Sequence, residues 1–481
     1  MFKIIILLMV LCGIYKSAVS QHEHHKPPTK QDSPAKEKKK TPKSKEVKAP
    51  KKDTMNMQQM HNDHGMNIDT GMHSMVVPMS HAFSLNLPMT RNGSGTGWLP
   101  DASPMYGYMI HSKKWMYMVH GSVFLRYNNQ DFTSEGTRGD DRFDAPTWFM
   151  LMGQRKVGNN GLFHFSSMFS LDPVIEGGKG YPLLFQSGES YQGKSLVDRQ
   201  HPHDLISELS VSYAHAISKN VDAFIYVGYP GEPALGPVTF MHRPSSLDNP
   251  NSPISHHWVD ATHITFGVVT LGFRFGKFKI EGSSFTGREP NEDRYNFDKA
   301  RFDSWSGRLS FNPSANWALQ VSHGYLKSPE ELHPDENQNK TTASAIYSAN
   351  IGGADWINAT ILWGMNKEKE NRGENAFLLE GAFRKRKTSV YARYEFTEKS
   401  AEELVLESSF KPHDIFSVHA LTLGANYDLL EFRKTKIAAG GQWSIYTAPE
   451  SLNTIYGKKP MAVQVYLRIY PTLMRMNMKQ P

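Results

Sequence analysis

Cysteine is almost missing from this 481-residue chain: Cys12 stands alone, so no internal disulfide can form. Long apolar runs are missing too. After the first twenty residues nothing approaches the roughly 18 apolar residues of a membrane-spanning helix, and a mean hydropathy of −0.50 agrees, which excludes a helical membrane protein. Spread-out positive charge is the third absence. The formal net charge is +7, yet residues 1–20 hold +2 and residues 21–52 hold +7, leaving −2 for residues 53–481. A nearly neutral remainder removes the case for a nucleic-acid partner.

The N-terminus reads as a cleaved secretory signal over residues 1–20: Lys3, an apolar run from Ile4 to Leu11, then Ala18-Val19-Ser20 before Gln21. Cys12 follows Leu11, where a lipoprotein signal needs a small residue, so the mature chain has neither lipid anchor nor thiol. Residues 21–54, with eleven lysines between Lys26 and Lys52, are too polar to bury a core and form a disordered linker. That linker is either a solvated spacer or an arm for phosphate and lipid headgroups.

From residue 115 to residue 475 short alternating segments follow one another, rich in aromatic and β-branched residues. Sixteen strands are expected, at 115–128, 146–157, 161–172, 204–218, 221–230, 262–275, 277–287, 304–312, 315–327, 341–352, 355–367, 375–386, 388–398, 414–429, 435–447 and 460–470. Short turns such as 158–160 and 219–220 alternate with long connections such as 173–203 and 231–261. An even strand count with loops sorted by length predicts an all-β fold, a transmembrane antiparallel β-barrel of the outer-membrane type. In the last strand Val463, Val465 and Leu467 share one face and Gln464, Tyr466 and Arg468 the other. The presumed inner faces carry Glu208, Arg274, Glu281, Arg308, Glu380, Arg384, Arg393, Glu395 and Arg468, too many charges for a dry core and suited to a wet lumen. Trp115, Trp148, Trp305, Trp317, Trp356 and Trp443, near strand ends, are candidates for interfacial girdles.

Residues 55–90 hold the most unusual composition. Seven of the 23 methionines, Met55, Met57, Met60, Met66, Met72, Met75 and Met79, are interleaved with His61, His64, His73 and His81. Thioether sulfur suits Cu(I) or Ag(I), and imidazole accepts Cu(II), Zn or Ni, so this segment is a candidate metal-binding stretch. Its alternatives are unstructured low complexity and a hydrophobic strip of a helix, the last disfavoured by few aliphatic neighbours. His22, His24 and His25, next to the new N-terminus, are further candidate ligands. Residues 91–114 form a leader or plug.

A second concentration lies in two long loops. Asp198-Arg199-Gln200-His201-Pro202-His203-Asp204 closes one, and the next carries His242-Arg243 and the run His256-His257-Trp258-Val259-Asp260-Ala261-Thr262-His263. These histidines either converge on one ion at the barrel mouth or hydrogen-bond within a polar plug.

The stretch Gly93-Ser94-Gly95-Thr96-Gly97-Trp98-Leu99-Pro100-Asp101-Ala102-Ser103-Pro104-Met105, with Tyr181 to Glu189 and Asp198 to Asp204, resembles an uncharacterised family of bacterial outer-membrane barrel proteins over about residues 80–475. Members accompany copper and heavy-metal resistance proteins. The resemblance implies a barrel and a metal-stress setting; it carries over no functional residue. The expected protein is a Gram-negative outer-membrane barrel with its N-terminal segment in the periplasm, handling copper or silver without an organic cofactor. Its expected partners are outer-membrane lipid, metal ions and periplasmic metal-resistance proteins. A general porin with an incidental tail is the alternative. An outer-membrane hydrolase is a further one, but no nucleophile elbow supports it and an enzyme is not expected.

Overall fold

A period of two, apolar on one face, closes this sheet on itself. The computed structural model describes residues 79–133, 135–368 and 372–474. Within them sixteen antiparallel strand positions form a closed barrel from Met116–Asn129 to Met461–Pro471, and every expected strand has a place in it. The last strand seals against the first, with Val463 opposite Asn129 and Ile469 opposite Val123. Two positions are broken: Asp141–Asp144 and Thr147–Val157 both pair with one edge of Met116–Asn129, interrupted at Ala145-Pro146, where proline cannot donate to the ladder, and Tyr108–His111 pairs beyond Met461–Pro471 on its other edge. The strand expected at 262–275 starts only at Val268, because His256–Val259 and Ala261–His263 are helical turns. The connection 173–203 contains an unforeseen hairpin, Tyr181–Tyr191 with Lys194–Gln200.

The outward faces are apolar. Ile361, Phe377, Leu379, Leu421, Leu423, Val465 and Leu467 point away from the barrel, while Gln464, Tyr466 and Arg468 are buried within it. A closed sheet with this exterior is solvated by lipid, as an outer-membrane barrel is. Tight turns cluster at one end. Arg433 and Lys434 form one of them with φ of 48° and 67°, the mirror-image turn whose twist matches the flanking strands.

The nine charges expected to meet a wet lumen do face inward, but there they meet protein. Residues 79–107 and the loop 229–267 occupy the interior. Arg308 reaches Thr96 Oγ1 at 2.7 Å and Gly236 O at 3.1 Å, and Asn312 donates to Leu99 O at 3.0 Å. Arg243, on the inward loop, bridges Glu380 at 2.8 Å and Asp260 at 2.7 Å, and Arg393 meets the same Glu380 at 2.9 Å. Arg274 pairs with Asp222, Arg308 with Glu281 and Arg384 with Asp428. Pairing, more than hydration, makes these buried charges tolerable. The same loop grips the seam of the barrel: Arg468 of the last strand pairs with Asp248, and Arg126 of the first donates to Pro250 O at 3.1 Å and Asn251 Oδ1 at 2.5 Å.

The tryptophan expectation is corrected in part. Trp305, Trp317 and Trp443 are outward and exposed. Trp356 turns inward, where its indole N–H donates to Tyr106 Oη at 2.7 Å, and Trp148 packs on His120 and His242. Both occupy inner-face positions of the two-residue alternation, and buried indoles need a partner of this kind. At the long-loop end an apolar cap forms from Leu183, Leu184 and Phe185 of the hairpin with Leu404, Leu406 and Tyr456 of two other connections. Each such buried side chain contributes roughly 1.5–3 kcal/mol, enough to fix the hairpin and the residues that leave it.

Candidate metal centre

His201 and His203 leave that capped hairpin on either side of Pro202, which holds His201 extended. His256 and His257 sit on one helical turn and His263 on the next, with Asp260 between. Trp258, fully buried under the Lys399 ammonium at 4.4 Å, anchors the first turn. The turn reaches the barrel wall because position 364 is glycine: a Cβ there would stand 2.5 Å from Trp258 O. Gly188, at φ +108°, likewise leaves room for the His257 ring, which a Cβ would approach to 2.3 Å.

Five imidazoles thereby gather. Ring centroids lie 5.4 Å apart for His201 and His257, 5.3 Å for His256 and His257, 5.1 Å for His256 and His263, and 5.3 Å for His203 and His263. Every Nδ1 faces an acceptor: Glu189 Oε1 at 3.1 Å from His201, Asp172 Oδ2 at 2.8 Å from His203, Asp260 Oδ1 at 2.5 Å from His256, Glu289 Oε1 at 3.3 Å from His257, and Asp260 O at 2.9 Å from His263. Carboxylates and carbonyls accept, so each Nδ1 carries the proton and each Nε2 is left with its lone pair. All five Nε2 atoms are buried and without a hydrogen-bond partner. Burial, with neighbouring imidazoles and Arg294, holds the His201 ring well below its ordinary pKa. Burial also lowers the His256 ring, against the pull of Asp260, and holds His263 well below its ordinary pKa. These three rings are therefore neutral at pH 7. For Asp260 burial alone would raise the carboxyl, but His256 and Arg243 outweigh it and hold it below the usual carboxylate range.

Rings oriented through Nδ1 by carboxylates, with Nε2 free of any hydrogen-bond partner, form the histidine arrangement of metal sites. One ring nitrogen each of His201, His256 and His257 lies within 4.8 Å of the others, so a central point is no farther than about 2.8 Å from each, close to the roughly 2.0–2.1 Å of a metal–imidazole bond. A cavity of about 80 Å³ shares His257, Glu189 and Glu289 with the cluster and is lined by eight glutamates in all. Glu330 there is pushed up to about 8 by burial and by Glu289 and Glu403, a sign of strongly negative potential.

No family model and no curated protein matches this chain. Among solved structures it is similar to an anion-selective porin from Comamonas acidovorans, at 12% identity and a TM-score of 0.46, over 74% of this chain and 100% of that one. It is also similar to OmpF of Salmonella typhi, at 8% identity and a TM-score of 0.45, over 75% and 100% of the two chains. OmpT, an outer membrane protein of Vibrio cholerae, is similar at 10% identity and a TM-score of 0.41, over 76% and 100%.

The structure brings together His201, His203, His256, His257 and His263 of the candidate ligands. It separates His242, expected with them, because Phe240–His242 turns the loop toward another wall, where His242 meets His120 at 5.7 Å between centroids. Met79 is buried among other methionines, and His81 is buried with Nδ1 accepting from Phe83 N at 3.1 Å. His22, His24, His25, Met55, Met57, Met60, His61, His64, Met66, Met72, His73 and Met75 lie outside the described residues. The orienting groups Asp172, Glu189 and Glu289 were missed, since they are distant in sequence from the rings they hold. A second omission had a readable signal: Met116, Met118 and His120, then Met150 and Met152, alternate with period two on inner faces.

Proposed function

We propose that this chain is a metal-handling outer-membrane barrel whose inward loops hold a borderline divalent transition ion on His201, His256 and His257. The observation that carries the reading is the set of five buried Nε2 atoms without partners, each on a ring oriented through its Nδ1. Leaving such lone pairs buried costs roughly 1–3 kcal/mol apiece, which a bound cation recovers. Three imidazole nitrogens suit Cu(II), Ni or Zn, with Cu(II) foremost in affinity. Copper fits the metal-stress setting that the resemblance implies. The glutamate-lined cavity supplies an approach from the long-loop end that concentrates cations and repels anions. The methionine and histidine run from Met55 to Met75, with His22, His24 and His25, belongs to the same proposal as a periplasmic segment capturing Cu(I) or Ag(I), whereas Met79 and His81 are taken up by the barrel interior.

The test is Cu(II) and Zn titration of the purified full chain in detergent, beside a His201→Ala, His256→Ala, His257→Ala triple variant. Binding of one divalent ion, with nitrogen couplings in the copper paramagnetic spectrum lost in the variant, is expected. Equal binding by both proteins refutes the site. A general diffusion pore is the second reading, favoured by the closed sixteen-strand barrel itself. It predicts a large conductance in planar bilayers that copper leaves unchanged, whereas the filled interior predicts a small one.

A further inference from the structure

Away from the histidine cluster, the barrel interior holds a concentration of thioethers. Met79, Met89, Met118, Met150, Met152, Met168 and Met241 form one buried group with Phe240. The strand register puts them in rows: Met118 stands opposite Met152 and His120 opposite Met150, with Met168 opposite Met150 on the far side. Directly opposed side chains in a sheet have Cβ atoms about 4.5–5.5 Å apart, within reach of one ion.

Methionine also fills irregular gaps and packs on aromatic rings, so buried thioethers alone need not bind anything. Two observations go beyond packing. Part of the group lines a cavity of about 60 Å³, into which Met105, Met118, Met150, Met152 and Met241 face. Two imidazoles line the same space, His120 and His242, and His120 Nε2 is buried without a partner. Arg468 also borders the cavity, with its charge taken by Asp248. The ligand set is therefore neutral, sulfur-rich and shielded, with no carboxylate on the cavity wall. Hard divalent ions favour oxygen ligands; soft monovalent ions favour thioether with one imidazole.

We propose that this cavity is a second metal site, taking Cu(I) or Ag(I) on the sulfurs of Met118, Met150 and Met152 with an imidazole from His120. It stands on observations independent of the histidine cluster, from which Phe240 divides it: that ring packs on His203 and His256 at 6.4 and 5.5 Å and belongs to the methionine group on its other side. The barrel thus presents glutamate, then imidazole, then thioether, an ordering from hard to soft ligands.

Ag(I), which does not change oxidation state, is the probe. The full chain is used with Met55, Met57, Met60, Met66, Met72 and Met75 replaced by leucine, so that sulfur of the N-terminal run is not counted. Competition titration is expected to show one Ag(I) per chain. Adding Met118→Leu, Met150→Leu and Met152→Leu, which conserve volume, is expected to weaken it at least tenfold while Zn binding is kept. His256→Ala is expected to leave Ag(I) binding in place, so the two sites fail separately. Absence of Ag(I) binding in the first protein, or unchanged affinity in the second, overturns the proposal. Methyl resonances of Met118, Met150 and Met152 in the first protein, with its cavity methionines intact, give a measurement that needs no substitution in the barrel. They shift at substoichiometric to stoichiometric Ag(I) if the site exists, and resonances that stay fixed overturn it.

Discussion

Asp260→Asn tests the histidine cluster at its most connected residue. The carboxylate accepts from His256 Nδ1 at 2.5 Å, from Arg243 at 2.7 Å and from Phe240 N at 3.1 Å. Asparagine keeps the shape but can turn an N–H toward His256 Nδ1, which moves the ring proton to Nε2 and aims it at the metal position. Loss of an orienting partner of this kind weakens metal binding about 10- to 100-fold, or about 1.4–2.8 kcal/mol. A second effect falls on the fold. Arg243 and Arg393 are balanced by Asp260 and Glu380, so the variant buries one uncompensated positive charge, and breaking such a pair costs about 3–5 kcal/mol. The assay is Zn competition against a chromophoric chelator on detergent-solubilised protein. Heat-modifiable electrophoretic mobility shows in parallel that the barrel is closed. Asp172→Asn, which removes the partner of His203 outside the close trio, serves as comparison and should weaken binding less. A folded Asp260→Asn protein that binds Zn as tightly as the parent refutes the orienting role and the ligand set with it.

Gly364→Ala places a Cβ 2.5 Å from Trp258 O, so the helical turn must shift; overpacking of this kind costs about 1–3 kcal/mol, and reduced Zn affinity in an intact barrel is the expected reading. Zn at a hundredfold excess over its dissociation constant should stabilise the inward loops by about 2.7 kcal/mol, measured as slower protease cleavage of loop 229–267. Glu330 has its folded pKa raised to about 8 from 4.5, so its contribution is present below pH 4.5 and is lost as pH rises through about 8. Protease sensitivity of the long loops should rise over that window and flatten in Glu330→Gln. A peptide of residues 55–81 should bind Cu(I) more tightly than a scrambled methionine-free control, and equal binding removes the capture segment.

The barrel was legible because lipid outside forces a strict period of two, and residues such as Val463, Val465 and Leu467 obey it. The interior was less so. Inward charge is compatible with water or with protein, and only the structure shows Arg308 and Arg393 held by residues of the leader and the loop. For the site, the loop histidines were visible, but their convergence depends on a hairpin cap and on glycines at 188 and 364 that create space for other residues. His242 was misplaced for a related reason: adjacency in a loop does not say which wall each turn faces. The methionine rows carry a different signal from the N-terminal run: Met116, Met118 and His120 are marked by period two along a strand, whereas residues 55–79 are marked by methionine density.

The seam of the barrel bears on how the cylinder is held shut. Strands Met116–Asn129 and Met461–Pro471 meet there, and their pairing closes the wall. Both are held from within by the single stretch Asp248 to Asn251, through Arg468 on one side and Arg126 on the other. One loop therefore ties both edges of the seam from inside, so the cylinder is held shut by its contents as well as by its own ladder. A chain with Asp248→Ala and Asn251→Ala is expected to lose that tie and to open at a lower temperature, read as earlier loss of the heat-modifiable band.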